Sequence, residues 1–323
     1  MRSLAMKLAD STVDISAIVL GTDYFGTRVP EKDVFSLLDI YMDAGGNCLD
    51  TARIYTAHIP GGYGASERTL GSWLKARNNR SKVIISTKGG HPDPERMLIG
   101  RLSRKEIEKD LDESLRALGV DYVDIYWLHR DDESRPVEDI METLSILTAS
   151  GKIRAIGCSN WKSARIEEAN KLALEAGYPS FIASQIQWSL AESTPEGWGD
   201  PTLVCMNEFE YGWYEKNHFP VFAYSAQSKG FFSRAASMGL EYINQKALSR
   251  FSTPVNIERL ERVKQYAGQN NLTVSAVTLG YITCNRVPGV AIVGPKNEEQ
   301  LRDTLTAADV DIPQADADWL YGG

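Results

Sequence analysis

The sequence is poor in the residues that build metal sites and disulfide frameworks. Its 323 residues include only four cysteines and four histidines, with no C-x-x-C pair and no H-E-x-x-H pattern. We therefore expect neither a bound metal nor disulfides, and we predict free cysteines that are mostly buried. The cysteines are Cys48, Cys158, Cys205 and Cys284, and the histidines are His58, His91, His129 and His218.

Long apolar runs and blocks of positive charge are also missing. No stretch approaches the ~18 apolar residues of a membrane span, and the first residues, MRSLAMKLADSTVD, lack the apolar core of a signal peptide. The formal charge is −8, from 35 Lys and Arg against 43 Asp and Glu. The sequence thus predicts no nucleic-acid partner and no membrane partner, favours the cytoplasm, and carries no signal of oligomeric state.

Familiar glycine-rich motifs are absent as well. Near Gly61, Gly62 and Gly64, the last glycine of a G-x-G-x-x-G motif would fall on Glu67, and no G-x-x-x-x-G-K-[ST] motif occurs. The IGCSN segment around Ser159 is not a G-x-S-x-G elbow, which argues against a serine hydrolase. If the protein binds a nucleotide, it must therefore use a different structural motif.

What the sequence does contain is a regular alternation of strands and helices. Division of the length by a typical domain size suggests two domains. Eight strand–helix repeats instead predict an α/β fold, a single-domain (β/α)8 TIM barrel over 1–323, with an open doubly wound sheet as the alternative. A long loop, 226–253, is expected after strand seven, and a tail at 309–323. The eight apolar runs are ISAIVLGT from Ile15, CLDTA from Cys48, VIISTKG from Val83, VDIYWLH from Val123, IRAIGCSN from Ile153, FIASQIQW from Phe181, PVFAYSA from Pro220 and VAIVG from Val290.

The helices between these runs carry recognisable boundaries. Ser103 and Glu106 form an S-x-x-E capping box, and Gly119 ends the same amphipathic stretch. Further helices are predicted after Pro30, Ser66, Pro136, Trp161 and Pro254.

Polar residues follow several of the predicted strands, where the active sites of such barrels form. Lys88 would be costly as a lone buried cation, so we expect Asp50 to be its partner. Tyr55 can fold back over the same mouth, where Lys88 is expected to lower its pKa, and His129 can orient a carbonyl oxygen. Each residue has an ordinary structural explanation, since an Asp–Lys pair can support a fold. Four polar residues at one rim nevertheless favour chemistry.

The predicted strands carry a set of motifs, in order and one per strand. The motifs are LGTDYFG (20–26), LDTARIY (49–55), STKGG (86–90), DIYWLHR (124–130), IGCSNW (156–161), Gln185, AYSAQSKGF (223–231) and VGPKNEEQL (293–301). This set resembles the aldo-keto reductases, and most closely the branch that includes the potassium-channel β subunits. The resemblance covers nearly the whole chain.

The resemblance implies NAD(P)H-dependent reduction of aldehydes and ketones, reversible toward alcohol oxidation, on a small-molecule substrate. Tyr55 would be the general acid, tuned by Lys88 and Asp50, with His129 orienting the carbonyl. The substrate pocket would include Tyr24, His58, Trp127, His129 and Arg130. The implied cofactor-binding residues are Gly21, Thr22, Asp50, Ser159, Asn160, Gln185, Tyr224, Ser225, Ala226, Gln227, Lys229, Gly230, Phe231, Gly294, Lys296 and Gln300.

Departures from the family pattern bear on the cofactor. Gln300 stands where many relatives carry an arginine that clamps a 2′-phosphate, and Lys296 can replace it as a point charge. NADP(H) is therefore favoured, with NAD(H) as the alternative. The Arg130-Asp131-Asp132 run fits either a polar, sugar-derived carbonyl or a solvated loop. Two other functions stay open, namely a cofactor-holding redox-sensing regulatory subunit with very slow turnover and a Schiff-base aldolase that uses Lys88.

Overall fold

Eight parallel strands close into a barrel in the computed structural model, which describes residues 1–322. The last strand pairs with the first, so the alternative of an open sheet is wrong and the predicted (β/α)8 barrel is confirmed. Each of the eight predicted runs overlaps one barrel strand. The barrel strands are β3 (Ile18–Gly21), β4 (Cys48–Asp50), β5 (Ile84–Gly89), β6 (Val123–Leu128), β7 (Ile153–Ser159), β8 (Ser184–Gln185), β9 (Val221–Ala223) and β10 (Gly289–Val293), preceded by a hairpin of β1 (Ser3–Leu8) and β2 (Ser11–Ser16).

Helices surround the barrel, and the predicted helix starts are confirmed to within a few residues. The capping box of Ser103 and Glu106 is formed, and Gly119 takes the left-handed conformation after the last helical residue. The helices are α1 (Glu31–Asp43), α2 (Ala65–Arg77), α3 (Arg104–Leu118), α4 (Val137–Ala149), α5 (Ser163–Ala176), α6 (Pro195–Trp198), α7 (Glu208–Asn217), α8 (Phe231–Met238), α9 (Gln245–Phe251), α10 (Pro254–Asn270), α11 (Val274–Thr283), α12 (Glu298–Leu305) and α13 (Gln314–Gly322).

Side chains along each barrel strand point alternately into the barrel and toward the helices. The apolar core is therefore divided into two layers. Val19, Ile125 and Trp127 belong to a cluster inside the barrel, whereas Leu20 and Leu128 belong to the larger cluster between strands and helices. Because successive side chains on a strand point to opposite faces, the same rule directs Lys88 inward and its neighbour Thr87 outward. Polar side chains such as Lys88 and Thr87 therefore follow the same alternation as the apolar ones.

The hairpin of β1 and β2 covers the amino-terminal end of the barrel. Met6, Leu8 and Ile15 join the interior cluster, and the amide of Ala9 donates to the carbonyl of Arg154 at 3.1 Å. This hairpin is not among the predicted elements, since the first predicted apolar run begins only at Ile15. Its effect is to leave the opposite end as the open mouth.

Two predicted irregular segments differ in the structure. The expected loop 226–253 contains α8 and α9, whose Phe231, Phe232 and Phe251 are buried. The expected tail contains α13, with Leu320 buried, while Gly323 lies outside the described residues. Helices of seven to nine residues show too few apolar repeats for periodicity to identify them, and packing against the barrel stabilises them instead.

We predict that Gly157→Ala destabilises the fold. A Cβ at Gly157 would lie 2.2 Å from the Trp127 ring inside the barrel, so the indole must shift. Such overpacking should lower the free energy of unfolding by about 1–3 kcal/mol in urea-induced unfolding. The matched control is Gly268→Ala on the exposed side of α10, where a Cβ meets nothing; it should raise stability by ~0.5–1 kcal/mol. Equal effects of the two variants would contradict this packing.

Candidate active site

The mouth of the barrel gathers polar residues from successive strands. Asp50 ends β4, Lys88 lies near the end of β5, and His129 directly follows β6. Ser159 ends β7 and Gln185 ends β8, while Tyr224 directly follows β9. The eight strands run parallel, so these residues meet at one end of the barrel.

Lys88 and Asp50 form a buried ion pair at the centre of this mouth. Lys88 Nζ lies 2.5 Å from Asp50 Oδ2, and it also donates to the carbonyl of Thr51 at 2.9 Å and to the Tyr55 hydroxyl at 2.7 Å. Tyr55 in turn donates to Asp50 Oδ2 at 3.2 Å. Lys88 is 2 % exposed and Asp50 has no exposed surface. The predicted partnership of the two charges is thus present, with Tyr55 against both.

The second oxygen of Asp50 is satisfied by two further donors. Ser86 Oγ donates to Asp50 Oδ1 at 2.7 Å, and Gln185 Nε2 donates to the same oxygen at 3.1 Å. Ser86 is not among the predicted site residues. Its inward orientation could have been predicted, because Ser86 and Lys88 are two residues apart on β5 and therefore share the inward face.

Burial is the largest influence on the pKa values of Lys88 and Tyr55. Burial lowers the pKa of Lys88, opposed by the charge of Asp50. Burial raises the pKa of the Tyr55 hydroxyl well above its ordinary value, and the negative charge of Asp50 adds to that rise. The expectation that the pKa of Tyr55 lies below its ordinary value is therefore wrong. Tyr55 is a protonated phenol at neutral pH, which suits a proton donor.

His129 faces Tyr55 across the mouth as a neutral imidazole. The two ring centroids are 6.2 Å apart, and the ring of His91 packs edge-on against His129 at 4.7 Å. Burial lowers the pKa of His129 well below its ordinary value, and His91, Arg130 and Lys88 lower it further. Its Nδ1 is buried without a hydrogen-bond partner. A neutral imidazole keeps one N–H donor, so His129 has a donor that a ligand at the mouth could use.

Ser159, Asn160 and Tyr224 form a connected polar group beside the ion pair. Asn160 Nδ2 donates to Ser159 Oγ at 3.0 Å, and the Tyr224 hydroxyl donates to Asn160 Oδ1 at 2.8 Å. By contrast, the side chain of Thr22 lies against the start of α2, with its Oγ1 2.6 Å from Ser66 Oγ. Gly21 lies close to β10, since an added Cβ would meet Ile292 at 2.9 Å.

The segment from Ser225 to Phe231 has an unusual run of left-handed backbone. Ser225, Ser228, Lys229 and Gly230 have φ values of 52°, 51°, 55° and 80°. Consecutive left-handed and right-handed residues direct amides into a concave surface that suits anions. The hydroxyl of Ser228 is buried without a partner. Of the other predicted cofactor residues here, Ala226 and Phe231 are buried and Gln227 donates to Ser275 Oγ at 3.3 Å.

The start of α12 is the other predicted phosphate region. Asn297 caps the helix by accepting from the amide of Gln300 at 2.9 Å, and Gln300 Oε1 accepts from the amide of Lys296 at 2.9 Å. The Gln300 side chain is therefore turned back on its own turn. Lys296 Nζ lies 4.7 Å above the ring of Tyr24, and Gly294 has open space where a side chain would stand.

The predicted substrate residues occupy different environments. Tyr24 is half-buried beside Lys296, and His58 is exposed on the loop after Tyr55. Arg130 is held by Asp200 at 3.2 Å, so its charge is already paired, and Asp131 pairs with Arg165. Trp127 is fully buried, with its ring 5.0 Å from that of Phe222 inside the barrel, and it has no surface at the mouth.

Three further observations concern the described residues as a whole. Within 1–322, no group of three or more His, Cys, Asp or Glu side chains is arranged to hold a metal ion. No helix in that range combines the length and apolarity needed to cross a bilayer. All four cysteines are free, and Cys48, Cys158 and Cys205 are buried, as predicted.

Comparison with known proteins places this architecture. The family model described as "Aldo/keto reductase family" matches residues 17–320. The chain belongs to the aldo/keto reductase family. It is accordingly an NAD(P)-dependent oxidoreductase, and the family resemblance seen in its motifs is confirmed.

Individual relatives of this aldo/keto reductase are distant in sequence, and two of the three described below match over most of both chains. The uncharacterized oxidoreductase YrpG of Bacillus subtilis is 28% identical over 313 residues, covering 92% of this chain and 89% of the relative. Norsolorinic acid reductase B of Dothistroma septosporum is 26% identical over 325 residues, covering 95% and 78%. Aryl-alcohol dehydrogenase [NADP(+)] of Phanerodontia chrysosporium is 29% identical over 210 residues, covering 61% and 52%.

The neutral histidines at the mouth predict an acid-sensitive fold. Burial lowers the pKa of His91 from 6.5 to about 4. The unfolded chain therefore binds more protons in that interval, and stability is lost as the pH falls from 6.5 toward 4. Urea-induced unfolding should show a shallower loss in His91→Asn than in the parent. His218→Asn, which removes an exposed imidazole, is the control variant. Equal slopes for the parent and His91→Asn would refute this prediction.

Proposed function

We propose that this enzyme reduces aldehydes and ketones to alcohols, reversibly, with Tyr55 as the general acid. The observation that carries the proposal is the contact of the Tyr55 hydroxyl with Lys88 Nζ at 2.7 Å, beside Asp50 and facing His129. A protonated phenol whose oxygen already accepts from an ammonium is well placed to give up a proton. The phenolate that results would be stabilised by the same ammonium.

His129 is proposed to orient the substrate. A neutral imidazole can donate a hydrogen bond to a carbonyl oxygen without competing for the proton of Tyr55. The carbonyl oxygen would then lie between the Tyr55 hydroxyl and the His129 ring, where proton transfer from Tyr55 completes the alcohol. In the reverse direction, Tyr55 in its phenolate form accepts the proton of the alcohol.

The proposed nicotinamide cofactor fits the residues present. When bound, it supplies the hydride that no side chain can provide. Asn160, Ser159 and Gln185 offer amide and hydroxyl groups suited to a carboxamide, and Tyr224 offers a ring beside them. The buried, unpartnered hydroxyl of Ser228 and the left-handed backbone around it suit a pyrophosphate. Lys296 is the proposed partner of a 2′-phosphate, so NADP(H) is the favoured form and NAD(H) the alternative.

A Schiff-base aldolase is less well supported. Such an enzyme needs a neutral amine at Lys88. Burial lowers the pKa of Lys88, but its nitrogen lies against Asp50, the carbonyl of Thr51 and the hydroxyl of Tyr55. All three groups accept hydrogen bonds from the ammonium and hold it in place. The geometry therefore supports a proton-transfer role for Tyr55 over a covalent role for Lys88.

Tyr55→Phe should separate chemistry from binding. The purified enzyme is incubated with NADPH or NADH and 4-nitrobenzaldehyde, and the loss of absorbance at 340 nm is followed. Removal of the acidic hydroxyl should lower turnover by about 10²- to 10⁴-fold, while cofactor affinity, measured by quenching of tryptophan fluorescence, stays within twofold. Full activity in Tyr55→Phe would refute the role of the hydroxyl.

The parent enzyme in the same assay tests the reaction itself. Turnover with either cofactor supports a reductase. Tight cofactor binding with turnover slower than one event per minute would favour the regulatory-subunit alternative instead. Absence of both binding and turnover would overturn the proposal.

Lys296→Met should change the choice of cofactor. Loss of one charge opposite a 2′-phosphate should weaken NADPH about tenfold, which corresponds to ~1.4 kcal/mol. NADH lacks that phosphate, so its affinity should stay unchanged. Lys264→Met, on the exposed side of α10, provides the control for loss of a surface charge. Equal weakening of both cofactors by Lys296→Met would contradict a phosphate-specific role.

A further inference from the structure

The loop that carries Tyr55 is held at its base by the first turn of α2. The loop leaves β4 at Thr51 and returns to helix at Ala65. Ser66 Oγ lies 2.9 Å from Thr51 Oγ1, and the amide of Gly64 donates to the carbonyl of Arg53 at 2.9 Å. Both ends of the Tyr55 loop therefore meet at the amino terminus of α2.

Glu67 is the buried charge at this junction. It has no exposed surface, and its Oε1 accepts from Thr87 Oγ1 at 2.7 Å. Its Oε2 lies 3.6 Å from Nη1 of Arg53. Arg53 stands two residues before Tyr55, and Thr87 stands immediately before Lys88 on β5. One carboxylate thus touches both the loop that carries the acid and the strand that carries its ammonium partner.

Burial of the Glu67 carboxylate is energetically costly if the residue only fills space in the core. Burial raises the pKa of Glu67, and its Oε2 has no hydrogen-bond partner. Well-packed apolar residues often replace buried ion pairs without loss of stability. An apolar residue could make neither of the two polar contacts of Glu67. Its carboxylate accepts a directional hydrogen bond from the Thr87 hydroxyl and attracts the Arg53 guanidinium as an ion pair.

We propose that Glu67 is a positioning residue that, through Arg53 and Thr87, holds the Tyr55 hydroxyl against the Lys88 ammonium. Contacts on the helix-facing side of β5 would thereby determine the distance between Tyr55 and Lys88 on the inner side of the barrel. The contacts of Glu67 with Arg53 and Thr87 are called the clamp below. The expected change in kcat rests on the proposed function, whereas the restraint of the Tyr55 loop by the clamp does not.

Glu67→Gln tests the clamp with little change of shape. The amide oxygen can still accept from Thr87, but Arg53 loses the buried one of its two carboxylate partners and keeps only Glu113, whose Oε2 lies 3.5 Å from Arg53 Nε. We expect kcat for 4-nitrobenzaldehyde to fall about 10- to 100-fold, as a misplacement approaching 1 Å would produce, with KM and cofactor affinity within twofold. Hydrogen–deuterium exchange in the peptide 51–66 should become faster, and this readout needs neither cofactor nor substrate.

A second pair of variants addresses the other arm of the clamp. Thr87→Val removes the hydroxyl that donates to Glu67 while keeping the side-chain shape, and Thr87→Ser keeps the hydroxyl. Thr87→Val should reproduce the loss of kcat and the faster exchange, and Thr87→Ser should retain parental values. These variants decide the question if Glu67→Gln does not fold.

Glu210→Gln is the matched control. Glu210 also lies in the first turn of a helix, α7, is 5 % exposed, and accepts from the amide of Ser163 at 3.1 Å. It contacts neither the Tyr55 loop nor β5, so its variant should lose stability without changing kcat or exchange in 51–66. If Glu67→Gln behaves in the same way, Glu67 only supports the fold and the proposal is overturned. If the parent shows no turnover, the proposed function fails, whereas the exchange data still decide the clamp.

Discussion

The buried ammonium of Lys88 is the constraint on which the mouth of the barrel depends. A cation with almost no exposed surface needs acceptors on several sides, and Asp50, the carbonyl of Thr51 and the hydroxyl of Tyr55 provide them. Asp50 in turn requires donors on both oxygens, which Ser86 and Gln185 complete. The residues come from β4, β5, β8 and the loop after β4, so only a closed barrel brings them within reach of one another.

This constraint also explains the protonation states at the mouth. Proximity to a cation alone would acidify Tyr55, but exclusion of water and the adjacent carboxylate act in the opposite direction and prevail. For His129, burial and the neighbouring positive charges both disfavour the imidazolium. Asp50 and Lys88 thus neutralise each other, and Tyr55 and His129 beside them are uncharged. A neutral carbonyl compound therefore meets no unpaired charge from these four residues.

Much of this arrangement could be predicted from the sequence, because local patterns specify strands and the order of strands specifies the barrel. Asp50, Lys88 and His129 could be placed at one rim since each follows a recognisable apolar run. The inward position of Ser86 follows from alternation along β5. Other features depend on tertiary packing that no local pattern encodes: the pairing of Arg130 with Asp200 spans 70 positions, and the pKa of Tyr55 depends on how much water the finished fold excludes. The fully buried position of Trp127 likewise depends on the tight fit of its ring against Gly157.

The hairpin at the amino-terminal end of the barrel has a consequence for access to the barrel interior. Met6, Leu8 and Ile15 of β1 and β2 pack in the same interior cluster as Trp127 and Phe222. The barrel is therefore a packed core and not a pore, so a small molecule enters and leaves on the side where the parallel strands end.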